Sequence, residues 1–304
     1  MAVLTTILYH SIAPSESDFE RGLGVVTTPE RFEAHIKYFE KNYDIVDLAT
    51  ILSGQLPKRP LLITFDDFYG SVLTVAKDVL KPRGIPSLFF INPDLVGPNT
   101  IGLDNLLAFS VARYGLPAVC DAGGLPSASI RSVYDLIGHV VSQLSSGQRA
   151  VLKSAILQSF APTSDDLLSR CPVVNAPELA ECADLGIEIG NHTATHVHGR
   201  SLTSEELHCE IVAAREKLES LSGTAVRAFS LPYGSERDLT EPLLAAIRRT
   251  GHEAIFLVHA RSNIFRKAPD VWYRISLHNE AVSELPLKLT VTPLLRSLKH
   301  MLFQ

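Results

Sequence analysis

Apolar residues along the chain gather in short runs separated by longer amphipathic stretches. Runs near 3–9, 44–46, 61–65, 87–91, 187–190, 226–231, 254–258 and 272–277 are rich in Leu, Ile, Val, Phe and Thr. They are too short for buried helices and do not alternate as a half-exposed sheet would, so they read as strands covered on both faces, as in a parallel sheet. Between them the period changes to that of a helix. Thr28 followed by Pro29 supplies a cap and a first helical residue, after which Phe32, Ile36 and Phe39 share one face. Thr203 and Glu206 form a capping box, and Leu207, Ile211, Ala214, Leu218 and Leu221 continue an apolar stripe behind it. Thr240 with Pro242 opens a further helix that Gly251 ends. This alternation predicts an α/β protein, a distorted (β/α) barrel of seven or eight parallel strands, spanning residues 1–304 as one domain.

The rhythm breaks between about 98 and 177. The break opens with Gly97-Pro98-Asn99, contains CDAGGLPSAS as a loop, and otherwise reads helical, at 132–144 and 148–160. It lies between the strand ending at Ile91 and the one leading to His192, which puts it above the carboxyl ends of the strands. It is expected to be an inserted helical subdomain, either walling a substrate cleft or decorating the periphery.

Three strand ends carry candidate chemistry. LLITFDDFYG (61–70) runs an apolar strand straight into Asp66 and Asp67. Ligand sites of α/β folds collect at such carboxyl ends. Adjacent carboxylates repel, and a metal on one with a proton on the other would separate their roles; turn and cap duty is the plainer alternative. IEIGNHTATH (187–196) places His192 and His196 four apart, so that one helical turn or a tight loop would put both imidazoles on one face, about 5–6 Å apart at Cβ. Two imidazoles and one carboxylate suit a borderline ion such as Zn²⁺ and leave a position for water. No Glu follows His192, so the acid must come from elsewhere, and Asp67 is the obvious donor. VRAFSLPYG (226–234) ends in a turn set by Pro232 and Gly234, where the Tyr233 N–H could act as an oxyanion donor or simply sit in a Pro turn.

With TFDD, HTATH and LPYG in this order at successive strand ends, the chain resembles the polysaccharide deacetylase family, carbohydrate esterase family four, chitooligosaccharide deacetylase-like. The similarity is densest over 61–97 and 178–258. The opening LYHSIAP and TTPERFEAHIKYFEKNYDIVDLATIL resemble the exopolysaccharide-associated subgroup. The resemblance implies a metal-dependent hydrolase that removes N-acetyl groups from an amino-sugar oligo- or polysaccharide or its precursor. It implies Asp66 as catalytic base, Asp67, His192 and His196 as ligands of a divalent ion, most naturally Zn²⁺, and the Tyr233 backbone as oxyanion donor.

The chain departs from the family pattern at several points. Phe68 replaces the usual Gly, and Ser230 stands where a base-orienting Arg is common. Arg274 in WYRISLHNE would supply the missing guanidinium, or else pair with Glu280 on the surface. The late Leu-x-x-His element that would provide the general acid has no clean counterpart. His278 and His10 are both candidates, alongside water, and His10 and Arg274 are expected to contact substrate. His198 reads as a solvated loop residue and His252 as structural. Two rival functions remain: a deacylase or amidohydrolase acting on another acyl group, and a non-catalytic carbohydrate-binding relic.

Charge and composition narrow the partners. A net charge of −5 with no basic block argues against nucleic acid. No 18-residue apolar segment offers a membrane span, and residues 1–10 lack the basic start and long apolar run of a signal peptide. Cys120, Cys171, Cys182 and Cys209 are scattered without a CxxC, which suits a reducing compartment and excludes a cysteine-held metal cluster. The expectation is a cytoplasmic enzyme, unless a leader has been removed, with a carbohydrate as its partner.

Overall fold

A computed structural model describes residues 2–169, 173–265 and 270–302. Cys171 lies outside them. The strands are β1 (Thr5–Tyr9), β2 (Ser11–Ile12), β3 (Val26–Thr27), β4 (Asp44–Ile45), β5 (Pro60–Asp66), β6 (Ser87–Ile91), β7 (Ile187–Asn191), β8 (Ala228–Ser230), β9 (Ala254–Val258) and β10 (Val271–Ser276). Every strand pair is parallel. The main sheet runs β1-β10-β9-β8-β7-β6-β5-β4, and a further β1–β5 pairing closes it into a barrel of 7 strands. The distortion has a local cause. β4 is only 2 residues long and meets β5 at its first residues, so Leu61 pairs with both Ile45 and Thr5, and β1 replaces β4 along the rest of β5. β2 and β3 form a separate two-stranded sheet beside the mouth.

Alternation along the strands sorts the interior by depth. Leu62, Leu88, Ala228, Ala254 and Trp272 pack together with Leu4 toward the amino ends of the strands. Residues of the same parity nearer the carboxyl ends, Thr64, Asp66, Ser230 and Arg274, are polar and hydrogen-bonded to one another. One glycine is essential to this filling. A Cβ on Gly190 would lie 2.3 Å from Phe90 Cδ1, so only glycine lets the Phe90 ring lie across the barrel. The opposite parity faces the surrounding helices, where Ile7, Tyr9, Ile63, Phe65 and Phe89 meet Phe32, Ile36 and Phe39.

The helix starts follow local chemistry. Thr28 accepts from Arg31 N at the head of Pro29–Asn42, and the Thr203–Glu206 capping box is formed on both sides. The stripe behind that box runs through a wider π turn, His208–Ala213, into Ala214–Ser222. Thr240 heads Glu241–Arg249 without a side-chain cap bond.

Between β6 and β7 the helices Leu103–Tyr114, Leu116–Gly123, Val133–Gln143 and Ser146–Phe160 share their own apolar core, including Leu106, Leu107, Val119, Leu136, Leu152 and Ile156. The stretch read as a loop from Cys120 begins inside Leu116–Gly123. Pro117 starts this helix, and Gly124, with φ 61°, ends it, so the loop proper begins only there. No helix among the described residues is long and apolar enough to cross a membrane.

Candidate metal centre and active site

Backbone strain marks the site. Among the described residues, the non-glycine positions with positive φ are Asp67 (78°), Thr193 (63°), His196 (61°) and Tyr233 (53°). All belong to the three strand-end motifs. Such conformations cost of order 1–3 kcal/mol each and persist where surrounding contacts enforce them.

Asp67, His192 and His196 offer ligand atoms that all lie within 4.8 Å of one another. Asp67 Oδ1 is 3.6 Å from His192 Nε2 and 3.3 Å from His196 Nε2. The hydrogen bonds behind the rings fix their tautomers. His192 Nδ1 lies 2.9 Å from the Ser230 carbonyl, which only accepts, so the proton is on Nδ1 and Nε2 presents a lone pair. His196 Nδ1 lies 3.0 Å from the Tyr233 hydroxyl, whose proton goes to Asp104 Oδ2, so this ring also donates from Nδ1 and presents Nε2. Burial holds His192 neutral, down to about 3. Burial likewise pushes Asp67 up to about 6, with Asp66 and Asp104 adding to the rise and His196 opposing it. Asp67 Oδ1 is buried without a hydrogen-bond partner. A carboxylate oxygen lacking a donor, facing two imidazole lone pairs, fits a divalent cation and little else. Outer-layer partners such as Ser230 O and the Tyr233–Asp104 pair orient metal-binding histidines in the way this chemistry requires.

Asp66 differs from its neighbour because of one side chain. Arg274, completely buried, donates through Nη1 and Nη2 to the two Asp66 oxygens at 2.6 Å each. Burial alone would raise Asp66, but the Arg274 guanidinium holds it down at about 2. Arg274 also donates to Ser230 Oγ at 2.6 Å and Thr64 Oγ1 at 3.2 Å, and its guanidinium carbon stands 5.1 Å from the centre of the Phe90 ring. Glu280 is instead engaged by Lys288 and the His278 N–H.

The two candidate acid histidines are placed differently. His10 lines the cavity above the site with its Nδ1 buried and unpartnered; burial lowers it to about 4 against the pull of Asp66. His278 does not line that cavity. His198, read as solvated, is instead partly buried, with Nε2 3.2 Å from Asp238 Oδ1, because Asp238 folds back over the loop. His252 is buried, hydrogen-bonded to Ile247 O at 3.1 Å and edge-on to Phe229.

The cavity measures about 550 Å³, and its walls come from both the barrel and the 98–177 segment. Asp104 is the functional side chain that sequence reasoning missed. In IGLDNLL it reads as an ordinary acid in the first turn of a helix, and nothing local ties it to Tyr233 and His196.

Residues 53–255 match the sequence pattern of the polysaccharide deacetylases. The chain belongs to the polysaccharide deacetylase family. Comparison with curated protein sequences gives no match. The fold is similar to that of the deacetylase PplD of Streptococcus pyogenes, solved in complex with acetate (TM-score 0.61, 11% identity, 95% of this chain and 98% of that one). It is also similar to IcaB from Ammonifex degensii (0.56, 18%, 94% and 95%) and to a de-N-acetylase from Aggregatibacter actinomycetemcomitans (0.60, 15%, 94% and 99%). At these identities the likeness is one of fold.

Both departures from the polysaccharide deacetylase pattern have structural work. Phe68 is 5% exposed and stacks on Tyr69, centroids 5.3 Å apart. A Cβ on Gly102 would lie 3.3 Å from its ring, so Phe68 seats the start of the Leu103–Tyr114 helix, and with it Asp104, against the barrel. Ser230 accepts from Arg274, sharing with Asp66 a guanidinium that arrives from β10.

Proposed function

We propose that the protein is a metal-dependent carbohydrate N-deacetylase that hydrolyses N-acetyl groups on an amino-sugar oligo- or polysaccharide, or its precursor, of the exopolysaccharide kind. The observation that carries this is the pairing of an Asp67–His192–His196 donor set with an adjacent Asp66 held ionised by Arg274. A divalent ion held by Asp67, His192 and His196, with Zn²⁺ the best match to those donors, would polarise the amide oxygen and acidify a water.

The chain's own groups supply the remaining chemistry. Ionised Asp66 accepts the proton of the attacking water, and the Arg274 fork and Ser230 hold its oxygens in one orientation. The Tyr233 N–H, which donates to no group among the described residues, stabilises the oxyanion. His10 is our choice of relay to the departing amine, because it lines the cavity; burial keeps it neutral at rest, so it passes on the proton that Asp66 takes from the water rather than one of its own. The acyl carbon gains the water oxygen, the C–N bond breaks, and acetate leaves beside a free amine.

The test is acetate release from a panel of N-acetylated amino sugars, with metal-loaded protein and with protein stripped by a chelator. Metal-dependent acetate release is expected. Release of a different acyl group would make the protein another deacylase, and binding without any release would make it a carbohydrate-binding relic.

A further inference from the structure

The cavity that holds the candidate catalytic groups is also lined by two cations of the inserted helices. Arg149 and Lys153 lie four apart on the Ser146–Phe160 helix and both line the cavity. The Arg149 side chain makes no hydrogen bond or ion pair among the described residues, and its Nε is buried without a partner. Lys153 Nζ donates only to the Ile101 carbonyl, at 2.7 Å, and burial lowers its pKa. The nearby carboxylates are committed elsewhere. Asp66 is clamped by Arg274, Asp104 by Tyr233, and Glu210 by Thr195. Glu206 senses the Arg149 charge, but its Oε2 accepts from Thr203 N at 2.7 Å. The wall beside the two cations is apolar (Ile137, Val140, Val141), which weakens screening and sharpens their attraction for an anion.

The loop between β2 and β3 also lines the cavity, through Gly22, Leu23, Gly24 and Val25. It is tied to the inserted helices by Phe19 stacked on Phe109, centroids 4.5 Å apart, and by Arg113 paired with Asp18 at 2.7 Å. A volume of about 550 Å³ falls in the range of small-molecule pockets.

Two partly buried cations facing the cavity, without a carboxylate partner among the described residues, attract an anionic group, and a neutral amino-sugar polymer brings none. We infer that the substrate is a small N-acylated amino sugar bearing a phosphate ester, with the phosphate read by Arg149 and Lys153 of the inserted helix that lines the same cavity. This rests on the deacetylase reading for the acyl end alone. The Arg149 fork suits two phosphate oxygens, and Lys153 acts as a point charge on the third.

The experiment is calorimetric binding of N-acetylglucosamine 1-phosphate and of N,N′-diacetylchitobiose to the purified protein, with acetate followed in the same samples. The sugar phosphate is expected to bind at least about 10-fold tighter, as charge-assisted hydrogen bonds allow. Arg149→Gln and Lys153→Gln should each reduce that ratio, the double variant should abolish it, and Arg149→Lys should keep part of it. The ratio is insensitive to a fraction of inactive protein, so a poorly folded variant does not mimic the result. Equal affinity for the two sugars, or a preference that survives the double substitution, overturns the phosphate site. Selective binding without acetate release supports the phosphate site while refuting deacetylation. Equal acetate release from both sugars, with no difference in affinity, does the reverse.

Discussion

Replacing Arg274 isolates what the guanidinium does for Asp66. Both Asp66 oxygens accept from it at 2.6 Å, and the carboxyl is held at about 2. Its buried neighbour Asp67, with no such fork, is pushed up to about 6. The gap, 6 − 2 = 4 pK units, is about 5 kcal/mol at 1.36 kcal/mol per unit. The gap measures the contrast between two sites rather than Arg274 alone, because Asp66 and Asp104 raise Asp67 while His196 and Arg274 itself lower it. A nearby Arg typically lowers a carboxyl by about 1–3 units, so Arg274→Gln should raise Asp66 by about that much. Asp66 works as a base only when ionised, so the acid limb of the kcat/KM profile should move up by the same amount. The effect on folding has the same sign. A carboxyl with a depressed folded pKa stabilises the native state above its unfolded value, and that stabilisation is lost as pH falls toward about 2. Raised by about 1–3 units in Arg274→Gln, Asp66 loses most of that stabilisation, and its ionised form opposes folding at neutral pH only once the folded pKa passes the ordinary value of 3.8. Arg274→Lys keeps the charge but loses one of the two parallel bonds, so its shift should be smaller. The assay is acetate release from about pH 3 to 9, with metal content measured alongside. Wild-type rates on an unshifted profile in Arg274→Gln would refute the reasoning and leave Asp66 in need of another partner.

Three further outcomes follow from the site. Asp67→Ala, His192→Ala and His196→Ala should each weaken divalent-metal binding by at least about 10–100-fold, read by elemental analysis after dialysis; full metal in the double histidine variant would eliminate the site. Asp66→Asn should keep the metal while kcat falls about 10²–10⁴-fold, and loss of metal here with retention in Asp67→Asn would reverse the two roles. Tyr233→Phe and Asp104→Asn leave the ligand set intact but break the chain behind His196, so metal affinity should drop about 10-fold; unchanged affinity in Tyr233→Phe would leave Tyr233 a backbone role alone.

Sequence alone carried whatever depends on neighbours in the chain. Short apolar runs ending in Asp66-Asp67, in His192 and before Pro232-Tyr233 can be read because strand length, helical period and turn chemistry are local properties. Spacing of four nominates His192 and His196 as a pair, but a non-helical loop with positive φ at Thr193 and His196 brings the two rings to 5.1 Å, whereas the Thr203 capping box forms within its own turn. Tertiary structure decided what depends on closure and on which faces meet. The barrel has 7 strands because the 2-residue β4 leaves β1 free to pair with β5. That closure brings β10 beside β1 and carries Arg274 to Asp66, 208 residues away, an approach no spacing rule can anticipate. Asp104 reaches Tyr233 and His196 only because Phe68 and Gly102 dock the inserted helices onto the mouth of the barrel. The left-handed backbone at Asp67, His196 and Tyr233 is likewise set by packing, since none of these residues prefers it alone. A chain can announce its ligands by spacing, but the groups that orient and charge them are chosen by contacts between distant segments.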